Sequence, residues 1–356
     1  LGDVYKRQVP ALPVAGSFRS IDFALSSMSN SHIQTVAVLT QYNARSLNEH
    51  LSSSKWWNFG RKQGGLFLFT PTVTADNSDW YRGTADAMYQ NIDFLKRRHE
   101  PYVIISSGDC VYKLDFNRVL DFHIEKKSDI TVVCKDMMYN DDVSRFGVVR
   151  MDDESRITEF DEKPIEALSN TISTGIYVIR RRQLIELLEA AAEENRFDFV
   201  NDILVRYKNV KKIYGYKINS YWNNIADIDA YFKTNMDFLR PDVRSYFFRE
   251  EPTICSKVDD LPPAKFNPGS DISNSLVSSG CIINGSVEDS VLFKQVFVGK
   301  NTTVKNCVIL NDVYIGDNVH LENCIVESRG TINPNTCYCG EDGVMIVKEK
   351  NVRYVI

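Results

Sequence analysis

The chain has 356 residues, 43% of them hydrophobic and 25% charged, with a formal net charge of −5. That is enough material for two soluble domains with large cores. A mildly acidic balance gives no electrostatic footing for nucleic acid or a membrane surface, and no apolar run reaches the length of a membrane span. No signal peptide is visible. The eight cysteines contain no C-x-x-C pair. Cys337 and Cys339 are the one close couple, and no histidine cluster accompanies them in sequence, which argues against zinc. Free thiols at this density fit a reducing cytoplasm.

Leu1 to Gln8 fit no element that follows, so the native part of the chain is expected to begin near Val9, already shortened. From there, Pro10, Pro13 and Gly16 make a loop carrying Arg19 and Asp22, and Ile21 to Met28 reads as a short helix. Gln34 to Thr40 is a strand and Ala44 to Leu51 a helix. Lys55 to Ser78, rich in Gly, Ser, Thr and aromatics, reads as a long loop with room for a hairpin. Thr84 to Arg98 reads as one helix, its basic end suited to the helix dipole.

Val103, Ile104 and Ile105 form a short apolar run, expected to be a strand buried on both faces. Ser106, Ser107 and Gly108 end it, and Asp109 follows at its carboxyl end. Ligands of open α/β sheets bind just there. Asp109 suits two roles: holding a divalent cation, or capping the turn into the next helix. Asp115 to Lys127 is a helix and Ile130 to Cys134 a strand. Phe146 to Met151 and Arg156 to Phe160 are two strands around an acidic turn, and Ser173 to Ile179 is another strand. Leu184, Leu187, Leu188 and Ala191 mark one face of a helix. Phe199 to Tyr207 is helical, Lys212 to Ile218 a strand, and Ile228 to Leu239 a closing helix. Strands alternating with helices predict an α/β domain with a mostly parallel sheet over 9–239. Five prolines between Arg240 and Pro268 read as an ordered linker.

A repeat follows over 269–356. Val296 to Ile309 aligns with Val313 to Val326 at a shift of 17 residues, and Val287 to Leu292 is a partial copy. Within a copy the apolar positions step by six, Val298 to Val304 and Ile315 to Leu321. Six-residue steps with three per turn describe a β-helix of triangular section. Asn, Asp and Gly mark its corners, while Cys281, Cys307 and Cys324 fill small inward places. Such a coil also serves as a rigid spacer or an assembly surface.

Several motifs occur in order: Pro10 to Phe23, Leu39 to Tyr42, Trp80-Tyr-Arg-Gly-Thr-Ala-Asp-Ala87, Gln90 to Phe94, Ser107-Gly-Asp109, Arg145-Phe-Gly147, Glu159-Phe-Asp-Glu-Lys-Pro164, Ser173-Thr-Gly-Ile-Tyr177 and Asn235-Met-Asp237. With these the chain resembles the glucose-1-phosphate adenylyltransferase family over nearly its whole length from Val9. The likeness is strongest to the regulatory-type second subunit found beside a catalytic subunit in Gram-positive bacteria. The resemblance implies a Rossmann-like nucleotidyltransferase domain followed by a left-handed β-helix of hexapeptide repeats. It implies that ATP and glucose 1-phosphate give ADP-glucose and pyrophosphate, in glycogen synthesis. It also implies a cytoplasmic tetramer, here a heterotetramer with a catalytic paralogue.

Carried over by resemblance, Asp109 would hold Mg²⁺, Lys163 would grip the sugar phosphate, and Glu162 would take a sugar hydroxyl. A charge-assisted bond of the Lys163 kind is worth about 1.5–3 kcal/mol. Tyr81, Gly147, Ser173 and Tyr177 would shape the sugar pocket, and Gly83 and Thr84 would lie near the adenine. Taken singly, Lys163 also reads as a solvated turn lysine, and Tyr81 and Tyr177 as core aromatics. Arg19 suits an anionic effector or a pairing with Asp22.

The sequence departs from the family in three places. The family's opening strand and Gly-rich phosphate loop are not in it. Val9 stands where a lysine often precedes the Pro-Ala pair. Tyr221-Trp-Asn-Asn-Ile-Ala226 carries Asn224 where catalytic members have the second metal carboxylate. An amide offers an oxygen without charge. A loss of about 3–4 kcal/mol of transition-state stabilisation would slow the reaction roughly 10²–10³-fold. The expectation is a weakly active or regulatory subunit; a fully catalytic enzyme, or a related sugar-phosphate nucleotidyltransferase, is the alternative. An acyltransferase reading of the coil rests on His320 alone and leaves the first domain unexplained.

Overall fold

The structure is a computed structural model and describes residues 9–41, 44–60, 64–71, 80–138 and 142–349. Residues 1–8, Tyr42 of the Leu39 to Tyr42 motif, and parts of the loop expected over 55–78 lie outside the described residues.

A short turn at Val9–Ala11 leads into a two-rung ladder, β1 (Pro13–Val14) with β2 (Phe18–Arg19). Ala15 and Gly16 make its turn at φ 52° and 79°. A Cβ on Gly16 would come 2.5 Å from Ser278 Oγ of the coil, so glycine is needed here for both the turn and the close approach. Helix α1 (Ser20–Asn30) follows, with Asp22 in its first turn accepting from the Arg19 N–H at 2.8 Å. Then come β3 (Thr35–Leu39), α2 (Arg45–Leu51) and β4 (Gly65–Phe69).

The strand β4 sits inside the expected loop. Its Gly-rich start concealed it, but it pairs in parallel with β3, and Phe67 and Phe69 pack on Phe94. The expected single helix over 84–98 is two, α3 (Thr84–Gln90) and α4 (Ile92–Lys96). Asn91 breaks it: its side-chain amide donates to the Ala87 carbonyl at 2.8 Å, competing with the helix's own bonding.

The rest of the first domain runs β5 (Tyr102–Ser106), β6 (Cys110–Tyr112), α5 (Phe116–Glu125), β7 (Ile130–Asp136), β8 (Gly147–Met151), β9 (Ile157–Glu162), β10 (Thr171–Arg180), α6 (Arg181–Glu193), β11 (Ile213–Lys217), β12 (Trp222–Asn224), α7 (Ile228–Asp237) and α8 (Pro241–Phe248). The helix expected over 199–207 is present, and its middle, Val200–Val205, is π-helical. It begins where the Asp202 carboxylate takes the Phe197 and Asp198 N–H groups. Parallel pairs are β3 with β4 and β7 with β11, while β10 runs antiparallel between β5 and β7. The β8–β9 hairpin extends the sheet, and β6 pairs antiparallel with β12.

Among the described residues, β3 pairs only with β4, and β5 only with β10. Each keeps one backbone edge without a strand partner, and both strands line a single cavity of about 1160 Å³. That explains why β5, expected to be buried on both faces, is only half-buried along its length.

The coil has three faces of five parallel strands each, the first starting at Lys265–Phe266. Val287, Val304 and Leu321 stack inward, and Cys281, Cys307 and Cys324 are fully buried. Corner residues Asn301, Asn306, Asn318, Asn323 and Asn335 take positive φ, which Asn tolerates better than other side-chain-bearing residues. Successive corners bond along the coil, Asn301 to Asn318 at 3.3 Å and Asn318 to Asn335 at 3.0 Å, each 17 residues apart.

Helix α8 occupies the start of the stretch expected as a linker. Its Phe247 joins Phe23 and Phe238 from the first domain and Val291, Phe293, Val308, Leu310 and Ile325 from the coil in one core. Phe238 and Phe247 are 0% exposed, and each contributes about 1.5–3 kcal/mol by burial. The two domains are therefore joined by a shared hydrophobic core.

Candidate active site

The cavity floor is the turn between β5 and β6. The Ser107 N–H donates to Gly175 O at 3.1 Å, and Ser20 Oγ donates to Gly108 O at 2.8 Å. Asp109 is half-buried at this turn and lines the cavity. Its Oδ1 accepts from Ser107 Oγ at 2.5 Å and faces Cys110 Sγ at 3.2 Å. Across the ladder, Asn224 pairs with Cys110. Its Nδ2 lies 3.5 Å from the same sulfur, while its Oδ1 accepts from the Ala226 N–H at 2.9 Å. One buried thiol thus separates the Asp109 carboxylate from the Asn224 amide. Burial first, then the Asp109 charge, push that thiol well above its ordinary range, so Cys110 stays protonated.

The β8–β9 hairpin makes a side wall. Gly147 pairs with Glu162, and a Cβ on it would lie 2.9 Å from Glu162 Oε2 and 2.8 Å from Phe160 Cε1. Burial is the main cause of the raised Glu162 carboxyl; nearby Lys163 opposes it and Asp198 adds to it. Lys163 stands at φ 50°, with its N–H on Phe146 O at 3.0 Å. A left-handed backbone costs a lysine about 1–2 kcal/mol. Strain of this kind gathers at functional sites. It turns the side chain out of the strand: the Lys163 side chain is 66% exposed, and Nζ stays 3.8 Å from Glu162. Ser173 and Tyr177, both buried, meet hydroxyl to hydroxyl at 3.3 Å across the bulge that Gly175 allows at φ 74°. Burial raises the Tyr177 phenol.

The structure therefore brings Asp109, Asn224, Gly147, Glu162, Lys163, Ser173, Tyr177 and Thr84 to one cavity, and leaves Tyr81, Gly83 and Arg19 outside its lining. The Tyr81 hydroxyl accepts from Asn91 Nδ2 at 3.0 Å. Gly83 lets Phe197 approach, since a Cβ there would meet Phe197 O at 2.3 Å. Thr84 Oγ1 accepts from the Phe199 N–H at 3.0 Å. Arg19 donates to Ser46 O at 2.7 Å and Ser46 Oγ at 3.0 Å. Asp22, 0% exposed, takes His50 Nε2 at 2.6 Å and Ser256 Oγ at 2.5 Å besides the Arg19 N–H.

Sequence reasoning gave no role to Arg145, Asp198 or Asp227. Arg145 and Asp227 form an ion pair beside Asn224, and all three line the cavity. Two opposite charges so far apart in sequence carry no local signal. Asp198 could have been found as the cap that accepts from the Asn201 N–H at 2.7 Å.

Mg²⁺ takes hard oxygen ligands, commonly one or two carboxylates completed by substrate phosphates and water. No hydrogen bond within the described residues engages Asp109 Oδ2, whereas the Asn224 oxygen is held by its own backbone. This donor set fits Mg²⁺ held mainly by substrate phosphates, with Asp109 as the protein's anionic ligand.

The family profile described as nucleotidyl transferase matches residues 4–240, and the profile described as GlmU-like, C-terminal hexapeptide matches 262–346. Proteins named glucose-1-phosphate adenylyltransferase are similar: that of Clostridium novyi (strain NT) is 38% identical over 298 residues, and that of Bacillus subtilis (strain 168) 37% over 298. Each match covers 83% of this chain and 78% of the relative. The Clostridium beijerinckii relative is 39% identical over 299 residues, covering 83% of this chain and 77% of its own. Among the described residues, no helix is long and apolar enough to cross a membrane.

Proposed function

The chain belongs to the glucose-1-phosphate adenylyltransferase family, and we propose that it acts there as a regulatory or weakly active subunit beside a catalytic paralogue. The observation that carries this is Asn224 standing beside Asp109 across the β6–β12 ladder, where a second carboxylate would complete a metal site. The proposed substrates are ATP and glucose 1-phosphate, the products ADP-glucose and pyrophosphate, the compartment the cytoplasm and the assembly a heterotetramer.

The chemistry asks for alignment and charge neutralisation more than a covalent partner. Bound Mg²⁺ would supply neutralisation of the phosphates, with Asp109 as ligand and Asn224 as a weak, uncharged neighbour. Lys163, strained and solvent-facing, is free to close on the phosphate of glucose 1-phosphate. Glu162 accepts a sugar hydroxyl in the space Gly147 leaves open. Tyr177 and Ser173 close the sugar pocket with apolar surface and a neutral hydroxyl pair. Arg145, held by Asp227 in the same cavity lining, is a second cation available to the phosphate oxygens. In-line attack of the sugar phosphate oxygen on the α-phosphorus then needs the nucleotide phosphates seated beside Asp109.

The alternative is a fully catalytic enzyme, which the retained Asp109 favours. One assay separates the two. ADP-glucose formation would be measured with Mg²⁺ for the full-length protein alone and mixed with the catalytic subunit of the same organism. No turnover alone, with altered rate or affinity in the mixture, is the expected result. Robust turnover alone would overturn the regulatory reading.

A further inference from the structure

Near the end of the coil, two adjacent parallel strands carry four ligand-type side chains. His320 and Glu322 lie on strand His320–Glu322, and Cys337 and Cys339 on strand Cys337–Cys339. The register sets His320 beside Cys337 and Glu322 beside Cys339. The residues between them, buried Leu321 and half-buried Tyr338, belong to the interior cluster. Alternation along a strand therefore turns the four others to the outer face as a two-by-two patch.

Three of the four already converge, and Cys337, outside that group, joins it through Cys339. Cys337 Sγ and Cys339 Sγ are 3.6 Å apart, and His320 Nε2 and Glu322 Oε2 are 3.5 Å apart. Ligand atoms of His320, Glu322 and Cys339 all lie within 4.8 Å of one another. Tetrahedral zinc has bonds of about 2.0–2.3 Å to N, O and S, hence ligand-to-ligand edges of about 3.3–3.8 Å. Two of the edges are at that length before any ion draws the group together. The neighbour that would compete for Glu322 is occupied elsewhere: Lys305 lies beside it in register, but its Nζ pairs with Glu288 at 3.3 Å.

We propose that His320, Glu322, Cys337 and Cys339 form a binding site for one zinc-type divalent cation, clipping the last two rungs of this coil face together. Two thiolates with one imidazole and one carboxylate select zinc over magnesium or calcium. On binding, the metal replaces the two thiol protons, which pass to solvent. A disulfide is disfavoured by geometry: residues two apart on an extended strand have Cα atoms about 6.4–6.8 Å apart, at the far limit for that bond. The site is separate from the nucleotide cavity, whose lining includes none of the four. Neither Cys-x-Cys nor His-x-Glu is a metal signature alone; the turn of the coil makes them one.

The test is Co²⁺ titration of the full-length protein, kept reduced with a phosphine, followed by Zn²⁺ competition. One Co²⁺ per chain is expected, with a thiolate-to-cobalt charge-transfer band and strong tetrahedral visible absorption, both removed by one equivalent of Zn²⁺. Replacing Cys337 and Cys339 together by Ser should abolish the band, and His320→Gln should weaken Co²⁺ binding by about tenfold or more. Neither variant should shift the metal-free thermal midpoint, since these side chains lie on the outer face. No charge-transfer band would overturn the proposal. So would a band that survives both variants, or a Cys337–Cys339 disulfide that persists under the reductant and keeps the metal off.

Discussion

Asn224→Asp changes one amide to a carboxylate and nothing in shape. Asp109 Oδ1 and Asn224 Nδ2 sit 3.2 Å and 3.5 Å from one sulfur, that of Cys110. The two carboxylates of the variant would therefore lie no more than about 6–7 Å apart, and at an effective dielectric of about 20 they repel by ~2.5 kcal/mol. Without metal the variant should be less stable, its thermal midpoint lower by a few degrees. The acceptor for the Ala226 N–H is kept, so no hydrogen bond is lost on that side. With Mg²⁺ the sign reverses, because a divalent cation between two carboxylates is bound more tightly than beside one. The same carboxylate should return about 3–4 kcal/mol of transition-state stabilisation, roughly 10²–10³ in kcat/KM. The assay is ADP-glucose formation against Mg²⁺ concentration, beside thermal unfolding with and without Mg²⁺. A variant that Mg²⁺ stabilises but whose turnover stays at the parent's level would refute the reasoning. Asn224 would then not be what limits this site.

Four further variants have expected outcomes. Lys163→Gly should weaken glucose 1-phosphate binding to this chain, measured by calorimetry with Mg²⁺, by about 10–100-fold through a lost charge-assisted bond. It should also raise the unfolding free energy by about 1 kcal/mol in urea titration, because glycine is at ease at φ 50°. Gly147→Ala should cost about 1–3 kcal/mol in the same measurement, its Cβ crowding Phe160 and Glu162. Asp22→Ala should destabilise by about 3 kcal/mol or more, since it orphans the buried His50 ring and the Ser256 hydroxyl together. Glu162 is held above its ordinary range mainly by burial, so its ionisation opposes folding as pH rises through that range. Glu162→Gln should therefore raise the thermal midpoint at pH 8, and the gain should fade as pH drops below the ordinary glutamate range.

The coil was legible because its rules are periodic: Val298, Val304, Ile315 and Leu321 fall on a six-residue beat, and all are buried. The strands of the first domain showed as apolar runs, and Asp109 was found from its place after one of them. What escaped reading depends on partners distant in the chain. Strand β4 begins at glycine and is recognisable only beside β3. Asn91 looks like an ordinary helix residue until its amide is seen on Ala87 O. The nearness of Asn224 to Asp109 follows from the β6–β12 ladder, which no local pattern announces. The histidine missing from the neighbourhood of Cys337 and Cys339 in sequence is supplied by the rung before, as His320.

The corners of the coil bear on how such a chain can vary. Val287 stacks against Ile272 on one side and Val304 on the other, although the rungs differ: Asn274 bonds Asp289 across 15 residues, whereas Asn301 bonds Asn318 across 17. Further on, Cys324 pairs with Met345, a longer step again. All of this difference is absorbed between faces, and none of it slips a face out of register. Inheritance can therefore edit this part of the protein by adding or removing whole rungs or by lengthening a corner. A single codon lost inside a face would turn its aliphatic side chains to water. A loop grafted between Cys339 and Met345, where the corner is already longest, is where an engineer could attach a tag or a binding peptide without disturbing the stack.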